Sequence, residues 1–535
     1  MSVSSRPAVP DSRAAKRSPT ESGERGRPLA VWSVRLAAAA AIVAGVALRF
    51  LTTSELWLDE ALSVNIAALP LPELFAALRQ DGHPPLYYVL LHAWMVPFGD
   101  GNLAVRALSG VLGVGALPLI WLCGKRLGAA RVGWAALLLL ASSPYAVRYA
   151  TEARMYTLLV VFTLLGFLAL TATLERPTAP RLVAVALLSG MLALTHYWAL
   201  FLLATVVLLL LVRAAARVGR ASSLAALGAV AAGGLLFLPW LPSFLVQLAH
   251  TGTPWGETGR PSAVAAAIVT FAGGVNDFGI PLVMVFFGAC ALALFGTQVA
   301  TRRLQFDLRP RPTATQLAGV VFGTLALAIG VSMVVGSAYH ARYAAVVLGP
   351  FLLLVAMGLG VLTHRPLYRG ALAVAVVLGL AGGIPNITEQ RTQAGIVAAA
   401  INAHAEDGDV IVYCPDQLGP AHHRLVRDGL AQVRFPDEGA AVRVDWTDYA
   451  ARNRRASAAA FADRVHRRAG DFGGVWLVWQ ESYQTLGAKC EALADRLGDL
   501  RATARPIVGE GRGFYESARL VYFPGRAEPH EGLVR

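Results

Sequence analysis

Residues 181–213 read RLVAVALLSGMLALTHYWALFLLATVVLLLLVR. These are two apolar runs, 181–196 and 198–213, with arginine at each far end and only His196, Tyr197 and Trp198 between them. A bilayer core about 30 Å thick asks for roughly 20 apolar residues in a helix. Inside it every peptide group must bond to its own segment, so such runs cross as helices. The stretch therefore reads as a helical hairpin with arginines on one side of the membrane and a His-aromatic turn on the other.

The pattern repeats on both sides of the hairpin. Candidate spans lie near 30–50, 103–123, 131–148, 155–174, 222–241, 281–300, 315–336, 343–363 and 370–386, giving eleven with the two above. The composition agrees: 56% of the 535 residues are hydrophobic, only 15% are charged, and the mean hydropathy is +0.53. A soluble chain of this length needs more charge to cover its surface.

Sidedness follows from where the cations lie. The N-terminal segment 1–28 carries Arg6, Arg13, Lys16, Arg17, Arg25 and Arg27 and reads as a disordered cytoplasmic tail. The run after it has no cleavage site and reads as an uncleaved signal-anchor. Alternate links are then basic: Lys125, Arg126 and Arg131; Arg176 and Arg181; Arg213, Arg217 and Arg220; Arg302, Arg303, Arg309 and Arg311; Arg365 and Arg369. The net charge of +13 is thus explained by topology and gives no reason to invoke nucleic acid. Eleven spans from a cytoplasmic N-terminus place the transmembrane domain at 29–386 and hold residues 387–535, of ordinary globular composition, outside the inner (plasma) membrane.

The other links carry acids, histidines and aromatics. The first, 51–102, contains Leu56-Trp57-Leu58-Asp59-Glu60 and Asp81-Gly82-His83-Pro84-Pro85-Leu86-Tyr87-Tyr88. Between them Leu69, Leu71, Leu74, Phe75 and Leu78 recur at helical spacing, the pattern of an amphipathic helix on the membrane surface. An Asp-Glu pair at the lipid boundary is costly unless solvated, paired or functional. The plain alternative is a helix N-terminus, where acids favour the dipole and Asp59 would cap. The second such link, Arg148 to Tyr156, packs two arginines around Glu152; an i,i+4 bridge between Arg148 and Glu152 leaves Arg154 over. A later link holds His340, Arg342 and Tyr343. Arginine suits bidentate phosphate binding. A carboxylate beside it can deprotonate a hydroxyl while the cations stabilise a departing phosphate.

At these residues the chain resembles the GT-C superfamily of polyprenyl-phosphate-sugar-dependent glycosyltransferases, in particular the family of protein O-mannosyltransferases and the lipid A aminoarabinose transferase. The resemblance covers 30–385 and rests on Asp59-Glu60, the stretch His83 to Tyr88, the stretch Glu152 to Tyr156, and Arg342-Tyr343 opening a late span. It implies a multi-pass helical fold and an inverting transferase. The donor would be a polyprenyl-phosphate sugar, and the acceptor an extracytoplasmic glycan, lipid or protein. It implies Asp59 as general base, Glu60 and Glu152 as further acids of the site, and Arg154 and Arg342 on the lipid phosphate, with His83 and His340 beside them. Tyr87, Tyr156, His196 and Tyr343 would line the substrate. Some relatives bind a divalent metal here, which keeps a metal ion open as a cofactor. The alternative is a transporter or lipid flippase, which would place ionisable residues in mid-span.

The last third alternates. A helix over Gly395–Ala405, strands at Asp409–Cys414 and Val475–Trp479, a helix over Lys489–Leu497 and a closing edge strand Arg519–Phe523 make a small α/β domain. Asp416, His422 and His423 read as a polar surface loop, and Gly509-Glu510-Gly511-Arg512-Gly513 as a flexible one. Cys414 and Cys490 are read either as a disulfide or as two buried thiols.

Overall fold

The computed structural model describes residues 26–251, 257–301, 303–335, 338–481, 485–501 and 503–525. The tail expected over 1–28 falls outside these, except that the first helix, Gly26–Leu48, begins in its last residues.

Each of the eleven predicted spans falls on a helix. Seven helical stretches among the described residues are long and apolar enough to cross a membrane on length and composition. Three further spans are the helices Gly26–Leu48, Ala179–Thr195 and Gly279–Phe295. The stretch Asn102–Ser142 holds two antiparallel spans. Its backbone leaves helical geometry at Gly128 and Ala129, the latter at φ 62°. The arms then return so closely that a Cβ on Gly124 would lie 2.8 Å from the Cα of Gly133. The predicted span 222–241 is shorter than expected, because its helix stops at Leu235 and restarts as Leu241–His250 around Pro239 and Pro242. The one predicted for 281–300 stops at Phe295, and Gly296–Ala300 pairs instead with Arg303–Phe306 as a hairpin.

The helix Ala345–Val361 is the axis of the bundle. It is apolar all round and almost wholly buried, as expected of a helix with neighbours on every side. The contact with Gly279–Phe295 is so close that a Cβ on Gly358 would stand 1.7 Å from the carbonyl oxygen of Ala289.

The links sort to two ends. At one, Arg126 pairs with Glu175, Arg131 donates to the Leu362 carbonyl, and Gln298 accepts from Thr363. This is the basic end. At the other the chain from 51 to 101 folds into three short helices, Leu58–Ala67, Leu71–Asp81 and Leu86–Phe98. The middle one is the predicted amphipathic helix. Leu74 and Leu78 are fully buried while Leu71 and Phe75 are exposed, and it ends at Gly82 with φ 90°.

The C-terminal domain packs on this second end. Asn65 donates to the Val442 carbonyl (2.8 Å), Trp446 N–H to the Gln80 carbonyl (3.0 Å), and Arg424 pairs with Asp100 (3.4 Å). Its sheet has five strands in the order Ala431–Arg434, Val410–Cys414, Val475–Trp479, Arg519–Phe523, Arg505–Val508. The first three are parallel and the last two antiparallel additions. Arg519–Phe523 is therefore an inner strand rather than the edge. The two short outer strands carry too little apolar sequence to be read as strands. The pleat sends Val410, Val412, Val475 and Leu477 to one core and Ile411, Tyr413, Trp476 and Val478 to the other, so both faces are covered. Cys414 and Cys490 are joined, with Cα atoms 5.6 Å apart. The supposed surface loop is a buried turn. Asp416 and His422 are inaccessible, and Asp416 accepts from the Tyr449 hydroxyl at 2.5 Å.

Candidate active site

Asp59 and Glu60 occupy the first turn of Leu58–Ala67, where exposed N–H groups favour negative charge. Neither caps the helix; its N-cap is Trp57, without a side-chain bond. Successive helical residues point about 100° apart, so the two acids part company. The Asp59 side chain keeps 14% of its accessibility and pairs with Arg342 (2.5 Å) and, more loosely, Arg154 (3.8 Å). Glu60 has no accessibility. It takes two bonds from Arg106 at 2.7 Å each, a third from the Ala153 N–H at 3.0 Å, and lies 3.6 Å from Arg391. Glu60 thus clamps the helix to the bundle, while Asp59 keeps partial accessibility. Burial pushes the Asp59 carboxyl up, but Arg342, then Arg154, outweigh it and hold it below the usual carboxylate range.

Arg342 arrives on the 3-10 turn Ala341–Ala344 that opens the axial helix, and His340 caps that turn by accepting from the Arg342 N–H (3.2 Å). Arg154 sits in the short link before Tyr156–Glu175. Its guanidinium donates to Ser63 (3.0 Å) and to His83 Nε2 (3.0 Å). A ring nitrogen that accepts from an arginine carries no proton, so the His83 proton is on Nδ1 and points to Asp81 Oδ2, 2.8 Å away. Tyr88 Oη donates to the same oxygen (3.0 Å). Asp81, His83 and Arg154 thus form a relay that orients Arg154 toward Asp59. Glu152 makes the predicted i,i+4 pair with Arg148 (2.9 Å) and lies 3.9 Å from Arg391.

The remaining expected residues form an aromatic floor. His196 packs between Tyr156 and Tyr343 at ring distances of 5.9 and 5.2 Å and accepts from the Trp198 N–H at 3.1 Å. Tyr343 also lies under the Arg342 guanidinium (5.7 Å). Tyr87 is buried against Tyr88, and the hydroxyl that reaches Arg154 and Asp81 belongs to Tyr88.

Two features set the chemistry. The ion-pair cluster joins Arg106, Arg148, Arg154, Arg342 and Arg391 to Asp59, Glu60 and Glu152, with Asp81 attached through His83, so the arginines exceed the carboxylates by one. Among the described residues six buried donors here have no acceptor: Trp57 Nε1, Tyr87 Oη, Tyr156 Oη and the Nε of Arg154, Arg342 and Arg391. A buried donor left unpaired costs about 1–3 kcal/mol. Both features ask for an anion. They do not suit a metal ion, which would sit among guanidinium groups. Among the described residues no three His, Cys, Asp or Glu side chains converge on a common point.

Several participants were invisible as such in the sequence. Asp81, Trp57 and Tyr88 stand inside the quoted motifs but carry no mark separating them from neighbours. Arg106 and Arg391 look like ordinary span-flanking arginines; only tertiary structure brings Arg391 to Thr151, Glu60 and Glu152.

The family described as dolichyl-phosphate-mannose-protein mannosyltransferase matches residues 82–242. That segment holds His83 and Arg154; Asp59 and Arg342 lie outside it. The structure of ArnT from Cupriavidus metallidurans in the apo state is similar over 92% of this chain and 98% of its own, at 14% identity and a TM-score of 0.58. ArnT bound to undecaprenyl phosphate gives 12%, the same coverage and 0.56. An Archaeoglobus fulgidus oligosaccharyltransferase with zinc and sulfate is similar over 83% of this chain and 68% of its own, at 12% and 0.48. No curated protein sequence matches. The fold is that of the GT-C glycosyltransferases, the chain is a multi-pass membrane protein, and the resemblance read from the motifs stands.

Proposed function

We propose that this protein is a membrane glycosyltransferase that moves a sugar, with inversion, from a polyprenyl-phosphate donor to an acceptor hydroxyl at the extracytoplasmic side of the plasma membrane. The observation that carries the reading is Asp59, the accessible carboxylate of the cluster, held between Arg342 and Arg154 beside unpaired buried donors. Asp59 takes the proton of the acceptor hydroxyl. The freed oxygen attacks the anomeric carbon from the face opposite the donor phosphate. The bond from that carbon to the phosphate oxygen breaks, and the electron pair leaves with polyprenyl phosphate, whose charge Arg342 and Arg154 neutralise. A single displacement inverts the anomeric centre. Glu60 and Glu152 hold Arg106, Arg148 and Arg391 in place and bind the donor only through that framework. Tyr156, His196 and Tyr343 form the floor on which the sugar lies.

A polyprenyl phosphate suits the cation excess and the position at one end of the apolar bundle, and the similar ArnT was solved with undecaprenyl phosphate bound. Sidedness is supported by the basic links at the opposite end and by the disulfide, which forms in oxidising compartments. The test is release of polyprenyl phosphate from a panel of polyprenyl-phosphate sugars incubated with the purified protein. Asp59→Asn should abolish transfer while expression and membrane insertion stay intact; undiminished transfer by that variant removes Asp59 from the mechanism.

A further inference from the structure

The C-terminal domain reaches into the site at one place. Residues 509–518, between the last two strands of the sheet, are stapled by Gln393. Its Nε2 donates to the Gly509 carbonyl (2.7 Å) and its Oε1 accepts from Gly511 N–H (2.9 Å) and Ala518 N–H (3.1 Å). Backbone bonds from Glu516 N–H to Arg391 O (2.8 Å) and from Gln393 N–H to Glu516 O (2.9 Å) fix the same segment to the connection from the bundle. This loop, expected to be flexible, is thus tied at both ends. Glu516 Oε2 accepts from the Leu58 N–H (3.2 Å), supplying from the far end of the chain the cap that the Asp59 helix lacks.

Next to this anchor stands Tyr515. Its side chain is 58% exposed, although its ring meets Trp57 edge-on at 4.8 Å and the Arg148 guanidinium lies 5.7 Å from its centre. Trp57 is 6% exposed, bears an indole N–H with no acceptor among the described residues, and has the Arg342 guanidinium 5.9 Å from its ring. An open aromatic face, a stranded N–H and the Arg148 guanidinium form a chemical set. The C–H face of a sugar ring covers the aromatic surface, while its hydroxyls accept from the indole and the guanidinium. An alkyl chain would leave the N–H unsatisfied and the cation desolvated.

We infer that Trp57, Arg148 and Tyr515 form a saccharide subsite at the junction of bundle and C-terminal domain, and that it holds the acceptor. Tyr515 is then a specificity-determining residue that the C-terminal domain contributes. The acceptor role rests on the transferase reading above; binding of a saccharide to these three residues does not. Purified full-length protein in detergent is titrated calorimetrically with methyl α-D-mannopyranoside, methyl α-D-glucopyranoside, methyl α-D-galactopyranoside and methyl α-D-arabinofuranoside, and separately with undecaprenyl phosphate. At least one glycoside should bind. Tyr515→Ala should weaken it about tenfold and Tyr515→Phe much less, since the ring carries the contact. Trp57→Phe, which keeps an aromatic ring but removes the N–H, should weaken it about three- to tenfold. Undecaprenyl phosphate binding should stay within about twofold in Tyr515→Ala. No glycoside binding to the wild type, or binding indifferent to Tyr515→Ala, overturns the subsite. Failure of undecaprenyl phosphate to bind the wild type would instead count against the transferase reading.

Discussion

Replacing Asp81 by Asn tests the relay behind Arg154. Asp81 is 7% exposed and receives two bonds on one oxygen, from His83 Nδ1 at 2.8 Å and from Tyr88 Oη at 3.0 Å. Burial raises its carboxyl, but His83 and then Arg154 more than compensate, so it is ionised at neutral pH. A hydrogen bond to a charged group is worth about 1.5–3 kcal/mol and a neutral one about 0.5–1.5. Losing the charge therefore costs about 1 kcal/mol per bond, or about 2 kcal/mol for the pair. That corresponds to roughly a 30-fold fall in kcat/KM at 1.4 kcal/mol per decade. The cost should fall mainly on donor binding, because what loosens is the aim of Arg154. If so, Asp81→Asn loses most of its effect once Arg154 is already Gln. Polyprenyl phosphate release, measured against donor concentration for both single variants and the double variant, gives the coupling. It should exceed about 1 kcal/mol, with melting temperatures reported alongside. Additivity within about 0.5 kcal/mol would show that the two residues act independently and refute the relay.

Further outcomes are expected elsewhere in the molecule. A maleimide mass tag applied after denaturation should add to two cysteines, Cys123 and Cys290, without reductant and to four with it. Reducing the bridge, which closes 76 residues, should cost about 4 kcal/mol of domain stability, read as a lower melting temperature. Gly358→Val forces a side chain onto the Ala289 carbonyl and should lower bundle stability by about 3 kcal/mol or more, measured by detergent-exchange unfolding. Burial pushes the Glu516 carboxyl up to about 8 from the ordinary 4.5. A carboxyl raised on folding contributes stability that is complete below its unfolded value and lost as pH rises through the folded one. The melting temperature should therefore fall between about pH 4.5 and 8, and Glu516→Gln, which still accepts from Leu58, should flatten that fall; an identical slope in the variant would exclude Glu516 as its source.

The bundle was legible because the bilayer imposes its own length on every apolar run, and because cations mark the ends. Where prediction missed a boundary, local backbone chemistry had intervened: prolines broke 222–241, and the hairpin at Gly296 claimed the end of 281–300. Within the site, Asp59, Arg154 and Arg342 could be found since a charge at the lipid boundary needs a reason. The division of labour between Asp59 and Glu60 could not, because it depends on Arg106 and Arg391 arriving from other elements. Tyr87 and Tyr88 differ only in which way a helix turns, and no periodicity in a stretch this short decides it. In the C-terminal domain the strongly apolar strands declared themselves. The short strands at the sheet's edges, half covered and of mixed composition, did not.

The bond from Glu516 to the Leu58 N–H also bears on how the protein comes into being. A ribosome delivers Asp59 first, then Arg154, then Arg342, and each can be threaded into the bilayer as it appears. The cap on the Asp59 helix and the ring beside Trp57 come only after the last membrane crossing has been made and the sheet has closed around its final strand. A nascent chain stalled between residues 391 and 515 would carry every charged group of the ion-pair cluster and still lack its last wall. The site is therefore whole only once the C-terminal domain has folded onto the bundle.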